Sequence, residues 1–421
     1  MDFRFICAAD THLDSSLNGL IPYEGAPSDR VTDPTREAFR NLVKLAIEEK
    51  ANFVLLAGDL FDKDWKDWNS GLFLVEQLKC LNHEGISAFI VNGNHDADSN
   101  ISKSLRLPKN TFVFPSKAPT TKRIEELRVA IHGQGYARRD IQENLAIGYP
   151  EAIPGYFNIG MLHTAVAGRE GHETYAPCSL GELLSKGYDT WALGHVHTRE
   201  VLSEEPLVLF PGNTQGRHIR ETGTKGCTLV EVKDGRIVSA EHRDLSVLHW
   251  EFAHVDVTGI ATAPEVIEKV GEHLAEITSG SGDRVVAVRV IVHGSCDAHR
   301  ELVAQQEKFK EDVRAVGTAE ADGVWIEKVR FETKSAVDIT ALRSGEDPIS
   351  ELVKYIDGLS AAGEVQAILE KELTQLKEKL PREVFTGEGA LQFEDPTEIG
   401  RLVEDVKAML LSGILGTGVS R

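Results

Sequence analysis

A chain of 421 residues, 41% hydrophobic and 27% charged, with 37 glycines and 15 prolines, is longer than one core usually covers. That composition is what an ordinary soluble globular protein has, and not a disordered, collagenous or membrane-embedded one. Its 46 lysines and arginines stand against 66 aspartates and glutamates, a net charge of −20, which excludes whole-molecule attraction to nucleic acid or an anionic membrane and requires local positive charge wherever a polyanion is met.

In chain order, short apolar runs that end in polar clusters predict strands at 4–8, 53–57, 88–91, 129–132, 158–162, 190–193 and 207–210. Between the first two, residues 35–50 carry Ala38, Phe39, Leu42, Val43, Leu45, Ala46 and Ile47 at helical spacing behind Pro34, which makes a βαβ unit. Runs 227–232 and 236–240 flank Asp234-Gly235, a pair suited to a two-residue hairpin turn, and close a first domain of residues 1–249. Residues 250–334 then read strand, helix, strand, helix, strand (251–257, 263–278, 284–293, 297–315, 324–331), a small separate α/β layer. Residues 335–421 form a polar helical segment. One stripe in it is Ile349, Leu352, Val353, Ile356 and Leu359, a second is Val365, Ile368, Leu369, Leu373, Leu376 and Leu380, and 397–411 is a further candidate helix. The start Met1-Asp2-Phe3-Arg4-Phe5 lacks the features of a signal peptide, and the apolar run 408–415 is too short to cross a bilayer. With five scattered cysteines and no C-x-x-C, the expected location is the reducing cytoplasm, without a membrane association.

Side chains at the carboxyl ends of strands in an α/β sheet converge on one crevice. Five such ends carry metal-ligand residue types: Asp10-Thr11-His12, Gly58-Asp59-Leu60-Phe61-Asp62, Gly93-Asn94-His95-Asp96, Leu162-His163-Thr164 and Gly194-His195-Val196-His197. Singly, a D-x-H carries no information, and a histidine at a strand end is more often a hydrogen-bonded structural one. The tetrapeptide G-N-H-D is far rarer, and the ordered set of five is what points to a metal site. Carboxylate, amide and imidazole ligands without thiolate suit manganese, iron or zinc better than calcium or copper. The one-residue spacing of Asp10 and His12 puts both on one side of an extended chain, and His195 with His197 repeats that geometry on an opposite wall. Seven candidates, Asp10, His12, Asp59, Asn94, His163, His195 and His197, suffice for two ions about 4 Å apart with one bridging carboxylate.

The pattern D-x-H, G-D-x-x-D, G-N-H-D, H, G-H-x-H over residues 10–197 resembles the calcineurin-like metallophosphoesterases. That resemblance implies an α/β fold: a phosphoesterase β-sandwich flanked by helices, followed here by a small α/β capping domain and a helical C-terminal segment. Gly58-Asp59-Leu60-Phe61-Asp62 and the layer after Trp250 resemble the SbcD-type DNA repair nucleases. Ala9-Asp10-Thr11-His12-Leu13-Asp14-Ser15, with Pro211-Gly212-Asn213-Thr214-Gln215-Gly216-Arg217-His218, resembles the bacterial YhaO-like branch of that group. By residue, the resemblance implies that Asp10, His12 and His197 hold a first ion, that Asn94, His163 and His195 hold a second, and that Asp59 bridges them, manganese being the expected metal. A hydroxide shared by the ions would attack phosphorus in line. His95 would act on the substrate, stabilising the transition state or protonating the leaving oxygen, and Asp62 would orient it, although some nuclease relatives carry a histidine there. The resemblance also implies DNA as substrate and an SbcC-like coiled-coil ATPase as partner, docked on the helical segment beyond the capping domain.

Two other functions fit the same residues. A phosphatase or small-molecule phosphodiesterase would use the same dinuclear site, although Lys63 and Asp96 stand where protein phosphatases carry arginine and glutamate. An inactive scaffold subunit is the other, and a complete ligand set counts against it. Trp65 and Trp68 are suited to stacking on bases, to a homodimer contact or to supporting the next helix. Arg138-Arg139 and Arg217-His218-x-Arg220 are either local charge for flanking phosphates or ordinary surface charge. His132 reads as structural, and Asp96 and Asp98 as loop-capping or supporting groups.

Overall fold

In a computed structural model the structure describes residues 1–17, 19–62, 68–97, 105–166, 175–282, 284–336 and 348–361, with isolated positions beyond. A first six-stranded sheet is built from β1 (Phe3–Ala8), β2 (Phe53–Ala57), β3 (Ser87–Val91), β4 (Thr111–Val113), β11 (Gly226–Lys233) and β12 (Arg236–Asp244), in the order β12-β11-β1-β2-β3-β4. A second holds β5 (Thr120–Ile124), β6 (Val129–Gly133), β7 (Phe157–His163), β8 (Thr190–Gly194), β9 (Glu200–Glu204) and β10 (Leu207–Phe210), in the order β5-β6-β7-β8-β10-β9. Helix α1 (Pro34–Glu48) lies between β1 and β2 in sequence, and these strands pair in parallel, as the βαβ reading requires. Helix α2 (Trp68–His83) connects β2 to β3, and α3 (Leu180–Ser185) precedes β8.

The sheets pack face to face because their central strands are apolar on both sides and alternate between two cores. In β1, Phe3, Phe5 and Cys7 enter the inter-sheet core while Ile6 and Ala8 face the helices. In β2, Phe53, Leu55 and Ala57 point inward, and Val54 and Leu56 meet Phe39 and Leu42 of α1 and Leu74 and Leu78 of α2. The second sheet repeats this: Ile159 and Met161 enter the shared core, and Leu162, Trp191 and Leu193 pack outward with Leu183 of α3. Phe5 stacks on Phe53 with centroids 5.1 Å apart. Truncating Phe53 to alanine would cost about 3–5 kcal/mol of stability. The hairpin β11–β12 turns at Asp234 and Gly235, both at positive φ (51° and 74°), which matches a two-residue primed turn.

A third sheet has the order β13-β14-β15, from β13 (Leu248–Asp256), β14 (Val285–Cys296) and β15 (Val324–Ser335), with α4 (Ala263–Ser279), α5 (His299–Ala304) and α6 (Gln306–Glu320) between them. The helix expected over 297–315 is broken, because Gln305 leaves helical dihedrals at φ −122°, ψ 36°. Strands β4, β5 and β9 escape the sequence pattern because none has a continuous buried face. The chain divides into two compact units, one of Met1–Ala253, Leu274–Arg289 and Gly317–Lys328, the other of His254–His273, Val290–Val316 and Val329–Arg421. Helix α7 (Pro348–Ala361) buries Val353 and exposes Leu352 and Tyr355. The side chains of Ile349, Ile356 and Leu359, most of 361–380 and nearly all of 397–411 lie outside the described residues, as do Trp65, Asp98 and the Trp68 side chain. Among the described residues no helix is long and apolar enough to cross a membrane.

Candidate metal centre

The carboxyl ends of the central strands of both sheets meet at one place. The loop after β1 runs beside the loop after β2, with Asp10 N–H bonded to Gly58 O (3.1 Å) and His12 N–H to Asp59 O (3.0 Å). From the second sheet, His163 at the end of β7 reaches Ala57 O with Nδ1 at 3.2 Å, and Thr164 N–H bonds Gly194 O at 3.1 Å. The approach is close enough to demand glycine: a Cβ on Gly58 would lie 2.1 Å from His163 Nδ1, and one on Gly93 2.1 Å from Asp59 Oδ1.

Asp10, His12 and His197 offer ligand atoms all within 4.8 Å of one another, and so do Asp10, Asp59 and His163, so that Asp10 is common to both groups. Asn94 joins the second group, its Oδ1 2.9 Å from His163 Nε2. The His195 backbone N–H donates to both Asp10 oxygens (3.1 and 3.0 Å), and its ring stands edge-on to His163 at 5.3 Å. All seven candidates are therefore gathered at this end of the sandwich, but not by the expected geometry. Asp10 and His12 do not project from an extended chain. They sit in the left-handed region at φ 50° and 41°, with Asp59 at 45° and His195 at 102°, so a sharp turn and not strand alternation aims these groups inward.

The residues fit a cation. The Ala57 carbonyl can only accept, so His163 presents an Nδ1–H to it, and a neutral His163, which burial favours, turns its Nε2 lone pair toward two acceptors, Asn94 Oδ1 at 2.9 Å and Asp59 Oδ2 at 3.5 Å. Three acceptors converging in a buried place are reconciled by a positive ion. In the other group, Glu221 accepts from His197 Nδ1 at 2.6 Å, and His197 Nε2 lies 3.4 Å from His12 Nε2. A carboxylate on the far nitrogen of a histidine is the usual support for a metal ligand. Burial, then the neighbouring Asp59 charge, pushes the Asp10 carboxyl well above the usual range. Burial, then the Arg217 charge, holds His12 well below the ordinary imidazole value, and burial lowers His163. Neutral imidazoles beside crowded carboxylates are the electrostatic setting that a divalent ion relieves.

His95 lies beside these groups and apart from them. Its Nδ1 is 3.3 Å from Asp62 Oδ1, at ion-pairing distance, and its Nε2 is 3.9 Å from Asp59 Oδ2. Asp62 also accepts from Ser15 Oγ (3.2 Å), and its own N–H bonds Asp14 Oδ1 (2.6 Å). Asp96 caps the motif loops, accepting from the N–H groups of Leu60, Phe61 and Gly93 at 3.0–3.1 Å. Burial, then Asp59, raises its carboxyl to about 7 against those three bonds. His132 is structural, held between Thr121 and Asn158 and stacked on Tyr188. Arg138 is exposed and paired with Glu143, whereas Arg217 turns inward to Asp62 and Glu221.

Glu221, Asp14, Tyr136 and Tyr175 belong to the site and escape sequence reasoning. Tyr136 meets His163 edge-on at 5.4 Å and Tyr175 meets His195 at 5.7 Å. Glu221 is buried, yet the hydrogen bond from His197 and the Arg217 charge outweigh burial and hold its carboxyl well below the usual range. Its only sequence signal is that it closes the short basic run Arg217-His218-Ile219-Arg220.

Comparison with known proteins gives the chain's family. Residues 3–199 match the family model "Calcineurin-like phosphoesterase", and residues 250–334 match "Metallophosphoesterase YhaO, middle domain". The chain is 36% identical over 348 residues to the "Uncharacterized metallophosphoesterase YhaO" of Bacillus subtilis (strain 168), covering 81% of this chain and 84% of that one. It is 24% identical over 380 residues to the "DNA double-strand break repair protein Mre11" of Methanopyrus kandleri, covering 80% and 79%. Among solved structures, TT1561 of Thermus thermophilus is similar with a TM-score of 0.35 and 15% identity, over 58% of this chain and 100% of that one. The family model and the 36% relatedness over most of its length agree with the motifs, and the chain belongs to the calcineurin-like metallophosphoesterases.

Proposed function

We propose that this metallophosphoesterase is a manganese-dependent DNA phosphodiesterase with two ions, acting as a repair nuclease at ends or in distorted duplex. The observation that carries the reading is the pair of ligand groups sharing Asp10, set beside a histidine, His95, that is near the ligands without being grouped with them. Following the resemblance, Asp10, His12 and His197 would hold one ion and Asn94, His163 and His195 the other, with Asp59 between them, whereas the grouping of ligand atoms here makes Asp10 the shared carboxylate and leaves Asp59 in the His163 group alone. Bound there, the ions would supply Lewis acidity at a phosphoryl oxygen and a nucleophile of lowered pKa. The protein's own contribution is positioning and proton transfer. With Asp62 facing His95 Nδ1, His95 Nε2 is left for the substrate, where it can give a proton to the leaving oxygen or stabilise developing charge.

The relatives named for double-strand break repair support DNA as the substrate class. Against it stands the net charge of −20, which favours a second reading, a small-molecule phosphodiesterase or phosphatase built on the same site. Turnover with Mn²⁺ on linear duplex DNA, single-stranded DNA, bis(p-nitrophenyl) phosphate and a phosphate monoester separates them. The nuclease reading expects DNA cleavage to exceed the generic diester in kcat/KM. Activity confined to small diesters or monoesters would replace it with the second. An SbcC-like ATPase held by the segment after Lys334 belongs to the nuclease reading, and co-purification of the full chain with that ATPase is its test.

A further inference from the structure

Arg217 stands where the two arms of the site meet. Its Nη1 is 3.6 Å from Asp62 Oδ2, and its Nη2 is 3.3 Å from both Glu221 Oε1 and His197 Nδ1. Asp62 turns its other oxygen to His95, and Glu221 takes the His197 proton. One guanidinium therefore ties the carboxylate facing His95 to the carboxylate supporting a metal-ligand candidate. The carrier is firm. The Arg217 backbone N–H bonds Glu221 Oε2 at 2.7 Å, and Glu221 N–H bonds His218 O at 2.8 Å. Ile219, between them, is buried with Leu248 and Trp250, and Trp250 Nε1 bonds Gly216 O at 2.9 Å.

Two roles are open to such an arginine: direct contact with a substrate phosphate, or support of protein groups. Its side chain is only 13% exposed, and both terminal nitrogens already face carboxylates, so the geometry favours support. A guanidinium presents its donors as a planar fork and can set two carboxylates at once, which a lysine ammonium cannot.

We propose that Arg217 is a positioning residue for phosphoester hydrolysis, holding Asp62 in the orientation that aligns His95 and holding Glu221 on His197. The proposal rests on the roles given above to His95 and Asp62. Its test is a double-mutant cycle in the full chain with Mn²⁺ and bis(p-nitrophenyl) phosphate, comparing Arg217→Met, Asp62→Asn and the pair. Arg217→Met is expected to lower kcat by about 10- to 100-fold with KM changed less than about threefold, and to cost less than about threefold more in the Asp62→Asn background. Arg217→Lys should recover little, and it replaces the methionine variant in the cycle if that chain does not fold. The readout independent of activity is Mn²⁺ binding by calorimetry: Arg217→Met should weaken it by about 10-fold, and no further when combined with Glu221→Gln. Multiplicative losses with Asp62→Asn, a rise in KM at unchanged kcat, or unaltered Mn²⁺ affinity would each overturn it. If Asp62→Asn and His95→Gln themselves keep wild-type kcat, the roles of His95 and Asp62 fail first, whereas multiplicative losses from a slow Asp62→Asn count against Arg217 alone.

Discussion

Two clusters of ionisable side chains at β1 balance their charge in opposite ways. Near its start, Arg4 meets Glu231 at 3.0 Å and Glu49 at 3.5 Å, Arg243 meets Glu49 at 2.8 Å, and Lys233 meets Glu231 at 3.2 Å. Every carboxylate there has a cation, and Arg4 lowers the Glu231 carboxyl. Past its end, Asp10 and Asp59 are buried with imidazoles that resist protonation, and burial pushes the Asp10 carboxyl up. The first cluster is complete as protein. Among its described residues the second has one arginine, Arg217, held by Asp62 and Glu221 away from Asp10 and Asp59, and a divalent ion would balance the rest.

If the comparison holds, the largest loss comes from removing a carboxylate at the deficient end. Asp59→Asn should bind fewer than two manganese ions per chain and abolish turnover, and elemental analysis of the purified mutant reads this directly. A mutant that retains two ions would remove Asp59 from its bridging place. Next comes His95→Gln, expected to lower kcat by roughly 10²–10⁴ while keeping two ions. Loss of metal from that mutant would make His95 a ligand. Smaller again is Glu221→Gln, which leaves every ligand in place but removes the charge behind His197. Mn²⁺ affinity by calorimetry should fall about 10- to 100-fold, and an unchanged affinity would mean that Glu221 only supports the loop. At the balanced end, Arg4→Ala should cost no more than about 1 kcal/mol in chemical denaturation and leave metal content and turnover at wild-type values, because an exposed pair contributes little. A loss of metal there would show that the two clusters are not independent.

Much of the site was legible because each ligand candidate follows an apolar run buried on both faces. Such a run is recognisable as a strand without knowing its neighbours, and Asp10, Asp59, Asn94, His163 and His195 are found by counting past its end. The Asp10–His12 spacing misleads even so: it suggests extended alternation, and the backbone is left-handed at both residues, a conformation their side chains disfavour and the surrounding loops impose. Edge strands such as β5 and β9 were illegible for a related reason, since partial burial leaves no clear alternation.

The sequence by itself determined the candidate ligand types, their order and the strands that carry them, since these depend on local chemistry and on hydrophobic periodicity. Only the tertiary structure decided that Asp10 is shared by both ligand groups, that Glu221 reaches back 24 residues to His197, that Tyr136 and Tyr175 flank the histidines, and that Arg217 faces Asp62 and not solvent. The physical reason is that sheet pairing and loop closure bring these groups together from separate parts of the chain, and neither periodicity nor motif spacing records which charges will be buried side by side.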